Sequence, residues 1–224
     1  MVNRKKSKVR ASKSLHCTEI DKVANYYKIG EYFLHSGEWE QAINALTRAI
    51  QLDIEDALAY DRRGIALGES CEYDKAIEDF TQAIRIDPAF AGAYNNRGLS
   101  FYEKSMYGVA IDDYDRAIEI SPDIAVFYCN RGLVHFWKGS FSSAISDYDK
   151  ALAMDPSLPE AHNCRGEAYA SIGQYKKAIA DFDQAIALDP CDVVAYANRI
   201  WAIEITKDSR VRKRFLRLIE KTEE

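Results

Sequence analysis

Apolar side chains recur along this chain as two alternating stripes. Tyr60, Gly64 and Leu67 stand at spacings of three and four, and Tyr73, Ala76, Phe80 and Ala83 repeat that rhythm after a short gap. Each stripe is the i, i+3/i+4 signature of an amphipathic helix, so the pattern predicts two helices in succession. Polar and charged residues fill the remaining positions. Gly37, Gly139 and Gly173 sit between the stripes of their own segments, where the chain must turn. Asp-Pro or Ser-Pro (Pro88, Pro122, Pro156, Pro190) follows the second stripe and stops its helix.

The helix pair returns every 34 residues without an insertion. Counting from Val23, the units are 23–56, 57–90, 91–124, 125–158 and 159–192, and a partial unit starts at Val193. Position 8 of each unit is glycine (Gly30, Gly64, Gly98, Gly132, Gly166). Position 20 is alanine (Ala42, Ala76, Ala110, Ala144, Ala178), and so is position 27 (Ala49, Ala83, Ala117, Ala151, Ala185). Aromatics hold position 17 (Trp39, Tyr73, Tyr107, Phe141, Tyr175), while position 24 is Leu46, Phe80, Tyr114, Tyr148 and Phe182. This period and these residues resemble the tetratricopeptide repeat. Ile54 and Ile200 depart from it, replacing a proline and a glycine.

The resemblance implies an all-α fold, a right-handed α-solenoid of antiparallel helix pairs with a concave and a convex side. A single helix pair cannot bury both of its faces, so the units must stack. The expected organisation is a basic tail over 1–22, five repeats over 23–192, and a partial repeat with a C-terminal capping helix over 193–224. In that last helix Val211, Phe215, Leu218 and Ile219 share one face, and Arg210, Arg212, Lys213 and Arg217 lie elsewhere. A basic helix that docks on a partner or a membrane surface is the alternative to a cap.

Composition narrows the functional classes. No apolar run approaches the ~20 residues a membrane span requires, so no membrane insertion is expected. The net charge of −5 is a balance: residues 1–13 carry six Lys/Arg and no acid, the C-terminal segment is also basic, and the body is acidic. An acidic body disfavours a nucleic-acid groove and suits basic or apolar polypeptides. The basic tail could still serve as a nucleic-acid arm or a nuclear address, and self-association through the groove or the ends stays open. The five cysteines (Cys17, Cys71, Cys129, Cys164, Cys191) form no C-x-x-C pair, which fits free thiols in a reducing, cytoplasmic setting.

An arginine stands at position 7 of each unit after the first: Arg63, Arg97, Arg131 and Arg165, each directly before the glycine, and Arg199 before Ile200 in the partial unit. Aspartates occupy position 23: Asp79, Asp113, Asp147 and Asp181. Positions 7 and 23 are equidistant from the turn at 15, so an antiparallel pair sets them at one height. The first unit lacks both, having Ile29 and Ala45. The expected pairs are therefore Arg63–Asp79, Arg97–Asp113, Arg131–Asp147 and Arg165–Asp181, with Arg199 reaching back to Asp181. We read these arginines as framework rather than ligand contacts.

Positions 2, 5, 6, 9, 12 and 13 of the first helix lie opposite its packing face and should line the concave side. Asn96, Asn130 and Asn198 stand at position 6, joined by Asn95 and Asn163 at position 5. A carboxamide donates and accepts, which suits the main chain of an extended peptide. The arrangement resembles the asparagine ladder in the tetratricopeptide superhelix of O-linked N-acetylglucosamine transferase, which holds peptide backbone. It is interrupted here by Cys164 and replaced by Lys28 and Arg62 in the first two units. Ordinary solvated polar residues are the competing reading. Leu99, Tyr102, Leu133, Phe136 and Trp201 lie on the same face as candidate side-chain contacts.

The carboxylate clamp of co-chaperone tetratricopeptide domains does not fit. Its positions hold Tyr27, Glu31, Arg62, Gly92 and Asn96 in one register, and Asp61, Ile65, Asn96, Val126 and Asn130 in the next. No phosphate loop, H-E-x-x-H or G-x-S-x-G motif is present. His135 and His162 take aromatic packing positions. The sequence therefore predicts a non-enzymatic scaffold without metal or cofactor, binding a protein or peptide in its concave groove.

Overall fold

The computed structural model describes residues 22–207, so the basic tail and the segment proposed as a capping helix lie outside the described residues. All regular structure among the described residues is α-helical. The described residues divide into two compact units, the first ending at Ile120 and the second beginning at Ser121.

The first unit holds α1 (22–35), α2 (Trp39–Leu52), α3 (Ala57–Glu69), α4 (Tyr73–Ile86), α5 (Ala91–Glu103) and α6 (Tyr107–Ile120). In this unit each odd-numbered helix, the helix A of its repeat, packs on the even-numbered helix that follows. The second unit holds α7 (Ala125–Trp137), α8 (Phe141–Met154), α9 (Pro159–Ser171), α10 (Tyr175–Leu188) and α11 (Val193–Lys207).

Small residues decide how closely the helices of a pair approach. A methyl group at Gly64 would lie 2.6 Å from Phe80 Cε1, and one at Gly166 equally close to Phe182. The ring of helix B thus lies directly on the backbone of helix A, which no side chain at that position would permit. Ala76, Ala83, Ala144, Ala151, Ala178 and Ala185 are all fully buried. Phe80, Tyr114, Tyr148 and Phe182 fill the spaces between them.

The links between repeats are held by aspartates. Asp53, Asp87, Asp155 and Asp189 each accept a hydrogen bond from the backbone N–H two residues on, at 2.9–3.1 Å. These bonds satisfy backbone groups freed where the second helix ends. Asp56 and Asp192 cap the next helices by accepting from Leu58, Ala59, Val194 and Ala195.

Candidate functional site

The position-7 arginine of helix A makes its hydrogen bonds within the protein. Arg63 donates from Nε and Nη2 to the two oxygens of Asp79 at 2.7 Å each, and from Nη1 to Thr47 of the preceding repeat at 3.0 Å. Arg97 treats Asp113 and Thr81 in the same way. Arg131 clasps Asp147 at 2.9 and 2.6 Å. Arg165 clasps Asp181 at 2.9 and 2.7 Å and reaches Asp149 at 2.7 Å. The fork geometry of guanidinium matches a carboxylate and leaves a further N–H for the neighbouring repeat. Arg199 corrects one expectation: its Nε donates to Asp183 rather than to Asp181. Position 25, which supplies Thr47, Thr81, Asp149 and Asp183, carried no sequence signal because it varies between hydroxyl and carboxylate. Tyr60, Tyr94 and Tyr128 place their rings 5.6–5.7 Å from the guanidinium carbons of Arg63, Arg97 and Arg131.

The asparagines also have partners. Asn96 donates to Asp61 Oδ1 of the preceding repeat at 2.9 Å, and its oxygen accepts from Asn95 at 3.2 Å. Asn198 donates to Asn163 at 3.1 Å and to Glu167 at 2.7 Å. Position 6 of one repeat thus reaches positions 5 and 9 of the repeat before it. Arg62 follows the same rule, lying 3.4 Å from Glu31. Asn95 and Asn163, expected on the open face, are buried instead, because the adjacent helix A covers position 5. Burial raises the carboxyl pKa of Asp61 and of Glu167, while the asparagine donors oppose the rise. Lys28 is exposed beside a cavity that Asp53 and Asp56 also line.

The apolar residues separate by exposure. Leu99 and Trp201 are 42% and 40% exposed, the latter with its ring 6.1 Å from Tyr175. Phe136 packs at its edge against Phe141 and supports the Ala144, Tyr148 and Ala168 cluster, so much of it is core. Tyr102 rests on Tyr107 with centroids 5.9 Å apart.

Two cavities open on these faces. In the first unit, Ile65, Leu99 and Asn96 line a space of about 430 Å³ with Glu69 and Glu103 at its edge. In the second, Asn130 and Leu133 line about 620 Å³ together with Cys129, Cys164, Tyr148 and Leu158, which the sequence reading had not assigned to a site. Cys129 and Cys164 are 35 residues apart, as are the contacting pairs Asp61–Asn96 and Asn163–Asn198. That offset was the available signal. Burial pushes the Cys129 thiol up to about 11 and the Cys164 thiol up to about 12, so both stay protonated and unreactive at neutral pH.

His162 is buried against Asp181 and the Pro156 carbonyl, at 3.5 and 3.1 Å. Among the described residues no group of three or more His, Cys, Asp or Glu could hold a metal ion, and no helix is long and apolar enough to cross a membrane.

Comparison with known proteins agrees with this architecture. Tetratricopeptide-repeat family models match residues 24–53, 72–105, 100–139, 134–173 and 159–190. Among curated proteins none matches. The solved structure of MamA protein superposes with a TM-score of 0.65 at 25% identity, covering 76% of this chain and 93% of that one. The Pseudomonas aeruginosa pilF structure gives 0.76 at 19% identity, over 92% and 93% of the two chains. YrrB, described as a TPR protein with an unusual peptide-binding site, gives 0.62 at 22% identity over 77% and 89%. The fold is an all-α solenoid of antiparallel helix pairs, and tetratricopeptide repeats serve in general as protein-interaction scaffolds. With its repeats, its helix pairs and its structural neighbours in agreement, this chain belongs to the tetratricopeptide repeat family.

Proposed function

We propose that the protein is a non-enzymatic scaffold that binds an extended polypeptide segment on the helix-A faces of its repeats. The observation that carries this reading is the pair of cavities on those faces, each combining apolar side chains with a carboxamide. Apolar side chains of the partner would enter beside Leu99 and Leu133, with Trp201 offering a further exposed surface. Asn96 has one amide N–H beyond the contacts described above, and Asn198 has its side-chain oxygen, so each can still meet a peptide main chain. Asn130 lines the second cavity and would contribute there. YrrB, whose description names a peptide-binding site, shares the fold and supports the reading by analogy. The ordered inter-repeat contacts would keep the face rigid, so little conformational entropy is lost on binding.

Selection of a displayed random-peptide library on the immobilised full chain tests the proposal. Specific sequences should be enriched, and Leu99→Asp combined with Leu133→Asp should abolish that enrichment without unfolding the protein. Enrichment no greater than on bare support, or enrichment untouched by the double substitution, would sink it.

A further inference from the structure

The cavity formed by α7, α8 and α9 has a composition that the repeat pattern does not require. Its apolar surface comes from Ile124, Val126, Leu133 and Leu158, with Ile124 and Val126 exposed at 40% and 49%. Every charged residue that lines it is acidic: Asp123, Asp155 and Glu160. Asp123 and Glu160 have no ion-pair partner among the described residues. Asp155 accepts from the backbone N–H and the hydroxyl of Ser157 at 2.9 and 2.6 Å, which keeps it ionised. An apolar surface rimmed by one sign of charge attracts segments that carry the opposite sign.

A second feature lies in the wall of the same cavity. Tyr148 is 1% exposed, and its hydroxyl has no hydrogen-bond partner. The Cys164 thiol lies beside it, and a thiol is a weak partner that leaves a phenol hydroxyl poorly satisfied. The equivalent residues of the second and fifth repeats are Phe80 and Phe182, which fill the same space with no polar atom to satisfy. A buried hydroxyl without a partner is destabilising, so its presence here suggests a partner brought in from outside.

We propose that this cavity docks a polypeptide segment in which apolar side chains alternate with lysine or arginine. The apolar side chains enter between Val126, Leu133 and Leu158, the cationic groups meet Asp123, Asp155 and Glu160, and a polar group of the segment satisfies the Tyr148 hydroxyl. The inference rests on the polypeptide-binding reading above and adds the chemistry of the partner.

Fluorescence anisotropy with the full chain and three short labelled peptides provides the test. The peptides alternate leucine with lysine, with serine or with glutamate. The lysine peptide should bind about tenfold more tightly than the serine peptide, and the glutamate peptide more weakly still. Raising the salt to about 0.5 M should compress that ranking. Asp123→Lys with Glu160→Lys should reverse it. Tyr148→Phe should weaken the lysine peptide severalfold while leaving the melting temperature unchanged or higher, since phenylalanine already serves in two other repeats. Equal affinity for all three peptides overturns the inference but leaves polypeptide binding standing, because the library selection tests that separately. A preference for lysine that survives both the rim reversal and Tyr148→Phe places the peptide elsewhere and also overturns it.

Discussion

Arg97 and Asp113 face each other across one helix pair through two parallel hydrogen bonds of 2.8 and 2.7 Å, with side chains only 19% and 7% exposed. Such a pair gains little over apolar packing when intact, yet removing one partner strands the other charge. Asp113→Ala should therefore cost about 3 kcal/mol. Replacing both residues with leucine should cost less than the single change. Urea denaturation of the three variants checks this. A loss within ~0.5 kcal/mol for Asp113→Ala would mean that water solvates the pair as on an open surface.

Gly64 and Gly68 lie one helical turn apart on α3 in opposite circumstances. A methyl group at Gly64 meets the Phe80 ring at 2.6–2.9 Å, whereas one at Gly68 meets nothing within 4 Å. Gly64→Ala should destabilise by about 1–3 kcal/mol through overpacking. Gly68→Ala should stabilise by up to about 1 kcal/mol through helix propensity. Thermal denaturation should show melting temperatures moving in opposite directions.

At the turn within each repeat the chain adopts a positive φ. Gly37, Gly139 and Gly173 hold it at 73–76°, but Cys71 and Ser105 hold it at 61° and 58°. An L-residue pays about 1–2 kcal/mol for that conformation. Cys71→Gly and Ser105→Gly should each raise stability by about 0.5–1 kcal/mol after the entropy cost of glycine. Gly139→Ala should lower it by a similar amount. Denaturant midpoints at constant m-value would read all three effects.

Glu167 is a carboxyl group whose pKa burial has raised. The folded state then holds the proton more tightly than the unfolded state does. Stability contributed by that proton is present at acidic pH and falls as pH rises from the ordinary glutamate value, about 4.3, through the raised folded value. Glu167→Gln keeps an acceptor for Asn198 and removes the titration. Its stability relative to the native chain should thus improve between about pH 4 and pH 7. Melting temperatures measured across that range should converge at the acidic end; a gap that widens as pH falls would contradict the assignment.

The repeat could be read directly because its determinants are local and recur. Ala76 and Ala83 announce the packed face of α4, and Pro88 announces its end, through volume and backbone constraint alone. The Arg–Asp pairing was also legible, since antiparallel geometry converts equal distance from a turn into equal height. Contacts between one repeat and the next were harder to see. Arg199 reaches Asp183 instead of Asp181, and Asn95 and Asn163 are covered by the neighbouring helix A. Both depend on the rotation of one helix pair against its neighbour, which no spacing within a unit encodes.

Sequence by itself determined the helix pairs, their period, their turns and the residues that hold each pair together, because those rest on periodicity and side-chain volume within 34 residues. Tertiary structure decided how the polar side chains of the open face are used. It joined Asn96 to Asp61 and Asn198 to Glu167 across repeats, and it gathered Val126, Leu133, Leu158 and Tyr148 around one acidic-rimmed cavity. Those associations follow from the stacking of rigid helices, which brings together residues that lie a repeat apart in the chain.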